Sequence, residues 1–151
     1  CMAKALEDKN TPGMVITFDL LPHKEPIYWN CIADAKGPQT RAALLQPWTE
    51  LVEKYIIFYQ GDVDIFLPAF RIGRINFAFV DGGHGYNNVI FEGEHISQSQ
   101  KTGDMIVFDD YSVDKFPGVV RAVNELCRRY DYDGVCVQAE GPRAYFIATK
   151  N

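Results

Sequence analysis

Residues 75–110, INFAFVDGGHGYNNVIFEGEHISQSQKTGDMIVFDD, decide the fold. Two apolar runs, Ile75 to Val80 and Met105 to Phe108, each end in acid: Asp81 after the first, Asp109 and Asp110 after the second. Short β-rich runs bounded by glycine read as strands buried on both faces. The roughly twenty residues between them suffice for a helical crossover, so the unit reads as βαβ with parallel strands. Ligands of such sheets gather at the carboxyl ends of the strands. Asp81, Asp109, Asp110 and His84 therefore meet in one crevice. Any chemistry this chain performs is expected there.

Outward from this unit the chain alternates. Residues 1–9 have helical composition and stop at the breaker cluster Asn10-Thr11-Pro12-Gly13. Met14 to Phe18 reads as a strand ending at Asp19, and residues 20–37 as loop with an extended piece at 27–29. A helix over about 39–54 carries Leu44, Trp48, Leu51 and Val52, and Pro47 should bend or split it. Tyr55 to Tyr59 is the next strand, followed by Gly61-Asp62 and a short helix over about 63–70. Beyond the central unit, Pro117 opens a helix over about 117–130 with Val120, Val123, Leu126 and Cys127 as its apolar stripe. Two last strands, about 134–138 and 143–149, are joined by Ala139-Glu140-Gly141-Pro142, so the final strand runs antiparallel. Alternation of this kind predicts one α/β domain, a Rossmann-like doubly wound sheet that is mostly parallel. The leading helix has no strand before it. One strand is therefore expected to be missing, and the start at Cys1 reads as a chain without its natural beginning.

Composition limits what such a domain can do. The 151 residues are enough to bury a full core, with 47% hydrophobic and 23% charged residues. A net charge of −5 argues against nucleic acid as the main partner, because phosphate binding needs a basic face. No apolar run approaches the length of a membrane span, and nothing reads as a signal peptide. Cys1, Cys31, Cys127 and Cys136 lack the spacing of a metal finger and read as free thiols in a reducing compartment, with the cytoplasm as the default.

Each acid has a functional and a plain reading. Asp19, at a strand end, suits a ribose diol through two charge-assisted hydrogen bonds, or else it caps the following turn. Gly61 permits close backbone approach, and Asp62 can accept from an exocyclic amine such as that of adenine; Asp62 is equally a good N-cap. Asp81, Asp109 and Asp110 are the sharper signal. Three carboxylates at adjoining strand ends raise one another's pKa unless a cation sits among them, and all-oxygen ligands suit a hard divalent ion such as Mg²⁺. His84 lies three residues past Asp81 on a turn entering a helix, where it can serve as a general base. His23 and His95 join no constellation and read as surface residues. Tyr86 and Tyr111 flank the crevice. Arg121, Arg128 and Arg129 read as a solvated helix face.

Taken together, VITFDL, YQGD, FAFVDGGHGY and KTGDMIVFDDY resemble the class I S-adenosylmethionine-dependent methyltransferases. The likeness is to the small-molecule O-methyltransferase branch with a D-G-x-H motif followed by an acidic pair, and it covers about residues 14–125. It implies that Asp19 holds the cofactor ribose, that Gly61 and Asp62 meet the adenine, and that Asp81 lies beside the cofactor. It also implies Mg²⁺ on Asp81, Asp109 and Asp110, with His84 as the base. Two features depart from the family pattern. No G-x-G-x-G loop precedes Asn10, and Asp104 stands where a second glycine is usual before the last parallel strand. In the family's strand order the missing strand is the central one, left as a gap or filled by a partner.

The expectation is therefore an enzyme that methylates a small-molecule hydroxyl, needing S-adenosylmethionine and a divalent cation and able to form a homo-oligomer. A non-catalytic binding or assembly module on the same fold is the alternative. A phosphatase of the haloacid-dehalogenase type fits less well, because its second acid would fall on Leu21.

Overall fold

The computed structural model describes every residue except Arg71, Glu140 and Pro142. The chain forms two compact units, residues 1–66 and 67–151.

In the first unit, helix α1 (Met2–Asp8) stops where Asn10 takes a left-handed φ of 47°. Strand β1 (Val15–Asp19) pairs in parallel with β2 (Ile56–Gln60), in a register that sets Thr17 against Phe58 and Asp19 against Gln60. The predicted helix over 39–54 is split where Pro47 removes a backbone donor. Helix α2 (Arg41–Leu45) and helix α3 (Thr49–Tyr55) flank a 3₁₀ turn, Gln46–Trp48. Thr40 caps α2, its hydroxyl accepting from Ala43 N at 3.1 Å. The extended piece predicted at 27–29 is a single antiparallel bridge, Ile27 to Gln39, and a 3₁₀ segment, Ile32–Lys36, lies in the region read as loop. Helix α4 (Val63–Ala69) crosses from the first unit into the second.

The second unit contains the βαβ element. Strand β3 (Phe77–Val80) runs through helix α5 (Tyr86–Gln98) to β4 (Met105–Phe108), and β3 and β4 pair in parallel. Helix α6 (Pro117–Tyr130) leads to β5 (Tyr132–Gln138) and β6 (Ala144–Lys150), which form the expected antiparallel hairpin. Of the residues read as its turn, Glu140 and Pro142 lie outside the described residues. The last strand inserts between its neighbours, giving the order β3-β4-β6-β5, with β6 antiparallel to β4. Among the described residues the strands thus form two hydrogen-bonded sheets, β1-β2 and this four-stranded one.

Burial corrects two expectations. Strands β3 and β4 are not covered on both faces within this unit. Val80, Ile106 and Phe108 are buried against α5 and α6, whereas Phe77 and Phe79 are exposed. The cause is that both helices pack on one face, so burial alternates along strands that are apolar throughout. The stripe of α6 is Val119, Ala122, Val123 and Leu126; Val120 and Cys127 sit at its margin, only partly buried. Gly93 of α5 lets the two helices approach, since a Cβ there would come within 2.3 Å of Leu126 Cδ1.

Candidate active site

The acidic crevice lies at the carboxyl ends of β3 and β4. Asp81 directly follows β3, and its backbone turns through Gly82, Gly83 and Gly85 into α5. This turn is held from below by side chains of α5. A Cβ on Gly83 would meet the Asn88 amide carbon at 2.7 Å. Helix α6 closes on the same turn from the side, and a Cβ on Gly118 would stand 2.9 Å from Tyr86 N and 3.5 Å from His84 O. The glycines are required here by contact with their neighbours.

Asp81, His84 and Asp110 offer three ligand atoms within 4.8 Å of one another. His84 Nε2 lies 3.0 Å from Asp110 Oδ2, and the imidazole packs on Phe116 with ring centroids 4.6 Å apart. Asp110 reaches this position in a left-handed conformation, φ 53°. That conformation is uncommon outside glycine, and aspartate is among the residues that best tolerate it. It turns consecutive aspartates to different partners.

Asp109, in contrast to Asp110, is buried at 3% exposure. Its carboxylate is gripped by the Arg143 guanidinium, with Nε donating to Oδ1 at 3.1 Å and Nη2 donating to Oδ2. Asp110 N also donates to Oδ1 at 2.7 Å. Burial pushes the Asp109 carboxyl up, but the Arg143 fork and the Asp110 N–H outweigh it and hold the group below the usual carboxylate range. Asp81 shifts the other way. Desolvation of its carboxyl raises it, the nearby Asp109 charge raises it further, and Arg143 offsets only part of this, although the residue as a whole is open to solvent. Such an arrangement of three carboxylates attracts cations.

The flanking tyrosines are engaged by neighbouring side chains. Tyr86 donates from its hydroxyl to Glu125 Oε2 at 2.7 Å, and Arg121 lies over its ring at 3.8 Å. Tyr111 packs on Phe146 and donates to Asn124 Oδ1 at 3.1 Å. Arg129 pairs with Glu94 and Glu125. Of the predicted solvated helix face, Arg121 and Arg129 thus have partners. His95 is partly buried, with Nδ1 2.8 Å from Phe91 O.

In the first unit, Asp19 ends β1. Its Oδ1 accepts from Leu21 N at 2.9 Å and its Oδ2 from Arg41 Nη2 at 2.7 Å. Arg41 is sandwiched between Trp29 and Phe58, and its buried Nε has no hydrogen-bond partner among the described residues. His23 also faces Phe58 and is partly buried, which corrects its reading as a surface residue. Desolvation first and the Arg41 charge second lower its pKa. Gly61 is required where it stands, because a Cβ there would fall 2.0 Å from Phe66 Cε2. Asp62 caps α4, its Oδ1 accepting from Asp64 N at 2.9 Å. Both aspartates keep unused acceptor capacity for a ligand hydroxyl or amine.

Arg41 and Arg143 were not singled out from the sequence. Their ion pairs close over 22 and 34 residues. The one available signal was the antiparallel return of the last strand, which brings its start back beside Asp109.

The comparisons with known proteins agree with this architecture. Residues 1–111 match the family described as "Methyltransferase domain". No curated protein matches the chain. Among solved structures, the O-methyltransferase NovP superposes with a TM-score of 0.67 at 17% identity, over 99% of this chain and 66% of that one. The O-methyltransferase TomG from Streptomyces achromogenes, in complex with SAM, gives 0.64 at 16% identity, over 92% and 62%. An O-methyltransferase from Bacillus cereus, in complex with SAH, gives 0.60 at 14% identity, over 91% and 63%. The chain thus spans less than two thirds of the length of these structures, and at such identities the likeness establishes the fold, a Rossmann-like one.

Proposed function

The chain belongs to the methyltransferase-domain family, and from that premise we propose that its acidic crevice serves O-methylation of a small-molecule hydroxyl, with S-adenosylmethionine as methyl donor. The observation that carries this reading is the convergence of Asp81, His84 and Asp110 within 4.8 Å, beside a buried Asp109. These residues fit a hard divalent cation such as Mg²⁺, which accepts carboxylate oxygens and keeps waters in its other positions. Asp81, Asp109 and Asp110 would hold it. Bound there, the ion supplies positive charge that lowers the pKa of an adjacent hydroxyl.

The remaining steps belong to the chain's own side chains. With Nε2 of His84 bonded to Asp110, Nδ1 is the nitrogen left to accept a proton. Asp110 fixes the ring and stabilises the imidazolium that forms, while Phe116 holds its face. The acceptor oxygen takes the methyl carbon as His84 takes the hydroxyl proton. The carbon–sulfur bond breaks as the carbon–oxygen bond forms, and the sulfonium becomes a neutral thioether. In the first unit, Asp19 would accept from the ribose hydroxyls and Asp62 from the adenine amine, with Gly61 allowing the approach.

Calorimetric titration of the chain with S-adenosylhomocysteine, with and without Mg²⁺, tests the reading. Binding that tightens with Mg²⁺, and loses that gain in Asp110→Asn, is the expected result. If no heat appears for nucleotide or metal under any condition, the chain is a non-catalytic module on the same fold.

A further inference from the structure

Arg143 lies beyond the 1–111 family match, yet its guanidinium forks onto Asp109 in the crevice. The two partners differ in freedom. The Asp109 side chain is 1% exposed, whereas that of Arg143 is 52% exposed and stands at the start of the last strand, just after a turn through Gly141 at φ 69°. Three of the roughly four acceptor places on a carboxylate are already taken on Asp109: both on Oδ1, by Arg143 Nε and Asp110 N, and one on Oδ2, by Arg143 Nη2. A divalent ion cannot take both oxygens of Asp109 unless one of these donors leaves. The Asp110 N–H is fixed by the chain. The guanidinium is the donor free to swing out, along the Tyr145 ring that it already overlies at 5.2 Å.

We propose that Arg143 is a resident counter-cation of the crevice, holding the carboxylate of Asp109 that a divalent ion would otherwise take and competing with that ion for it. This rests on the metal reading above and adds the residue that sets how readily the site fills. A guanidinium neutralises a buried carboxylate well but cannot be deprotonated, so it opposes a divalent cation at the same oxygens by charge as well as by occupancy. The site would then fill only when the ion concentration is high enough to displace Arg143.

Mn²⁺ titration by calorimetry on the whole chain tests this, comparing wild type, Arg143→Gln, Asp109→Asn and the double variant. Arg143→Gln should bind about tenfold tighter, as expected for removing one like charge beside a divalent ion, and the gain should vanish when Asp109 is already Asn. Equal or weaker binding by a folded Arg143→Gln chain overturns the competition while leaving the metal site standing. If neither wild type nor Arg143→Gln binds Mn²⁺, the metal reading falls and takes this proposal with it. A second measurement avoids dependence on the variant's folding. The Arg143 Nε–H resonance of the wild-type chain should lose its hydrogen-bonded shift as diamagnetic Mg²⁺ is added, and a signal unchanged at saturation overturns the proposal.

Discussion

Strand β4 carries a buried aspartate at each end, and each is held by a half-exposed arginine. Asp104 precedes the strand and is 2% exposed; Asp109 follows it at 3%. Arg74 forks onto Asp104 with Nε donating to Oδ2 at 2.9 Å and Nη2 to Oδ1 at 2.9 Å, much as Arg143 forks onto Asp109. The surroundings differ. Around Asp104 every neighbour is a donor: Asn76 Nδ2 at 3.1 Å and Lys101 N at 2.7 Å complete its shell. Around Asp109 stand two more acids, Asp81 and Asp110. The same kind of ion pair therefore completes a shell of donors at one end and stands among further carboxylates at the other. What separates them is how much negative charge remains after the arginine has been counted.

The contrast can be broken from either end. Asp104→Ala should cost about 3 kcal/mol, because it strands a guanidinium and two further donors around a buried site. Urea unfolding would show the loss, while Mn²⁺ binding stays unchanged. Asp81→Asn should do the reverse. It should weaken Mn²⁺ binding by more than the roughly 10–100-fold typical of losing an outer-shell partner, yet leave the chain at pH 7 slightly more stable. An equal stability loss for the two variants would erase the distinction.

The smallest effect is in the pH profile, where the two ends should oppose each other. Asp104 is held below its ordinary value of 3.8, first by the Arg74 hydrogen bonds. Its contribution is present above that value and is lost as pH falls through the folded pKa. Asp81 is raised above 3.8, first by desolvation, so the folded chain favours its protonated form. That contribution is present at low pH and lost as pH rises through the folded pKa. Stability measured from pH 2 to 7 should therefore show a weaker acid loss in Asp104→Asn and a weaker decline above pH 4 in Asp81→Asn.

The sequence made the elements legible where apolar runs met breakers. Pro47 announced the split helix, and the acids after Val80 and Phe108 announced the crevice. Which acid faces which partner was not legible, because that depends on the left-handed φ of Asp110 and on arginines 30 and 34 residues away from the aspartates they hold. Asp104 looked like a tolerated departure from a glycine. It proves to be the most heavily hydrogen-bonded carboxylate of the described second unit, a role that no local pattern announces. Exposure of Phe77 and Phe79 was equally hidden, since a run of four apolar residues does not say how many of its faces are covered.

The close approach of Gly118 to the backbone of the DGGH turn has a consequence for anyone reshaping this crevice. Helix α6 and the turn that bears His84 touch main chain to main chain, with no side chain between them to act as a cushion. A library that varies position 118 should return almost only glycine, because any larger residue would lever the imidazole away from Asp110. Diversity at the crevice is better spent on residues 113–115, which are exposed and lie outside the contacts described for the His84 ring and for Gly118.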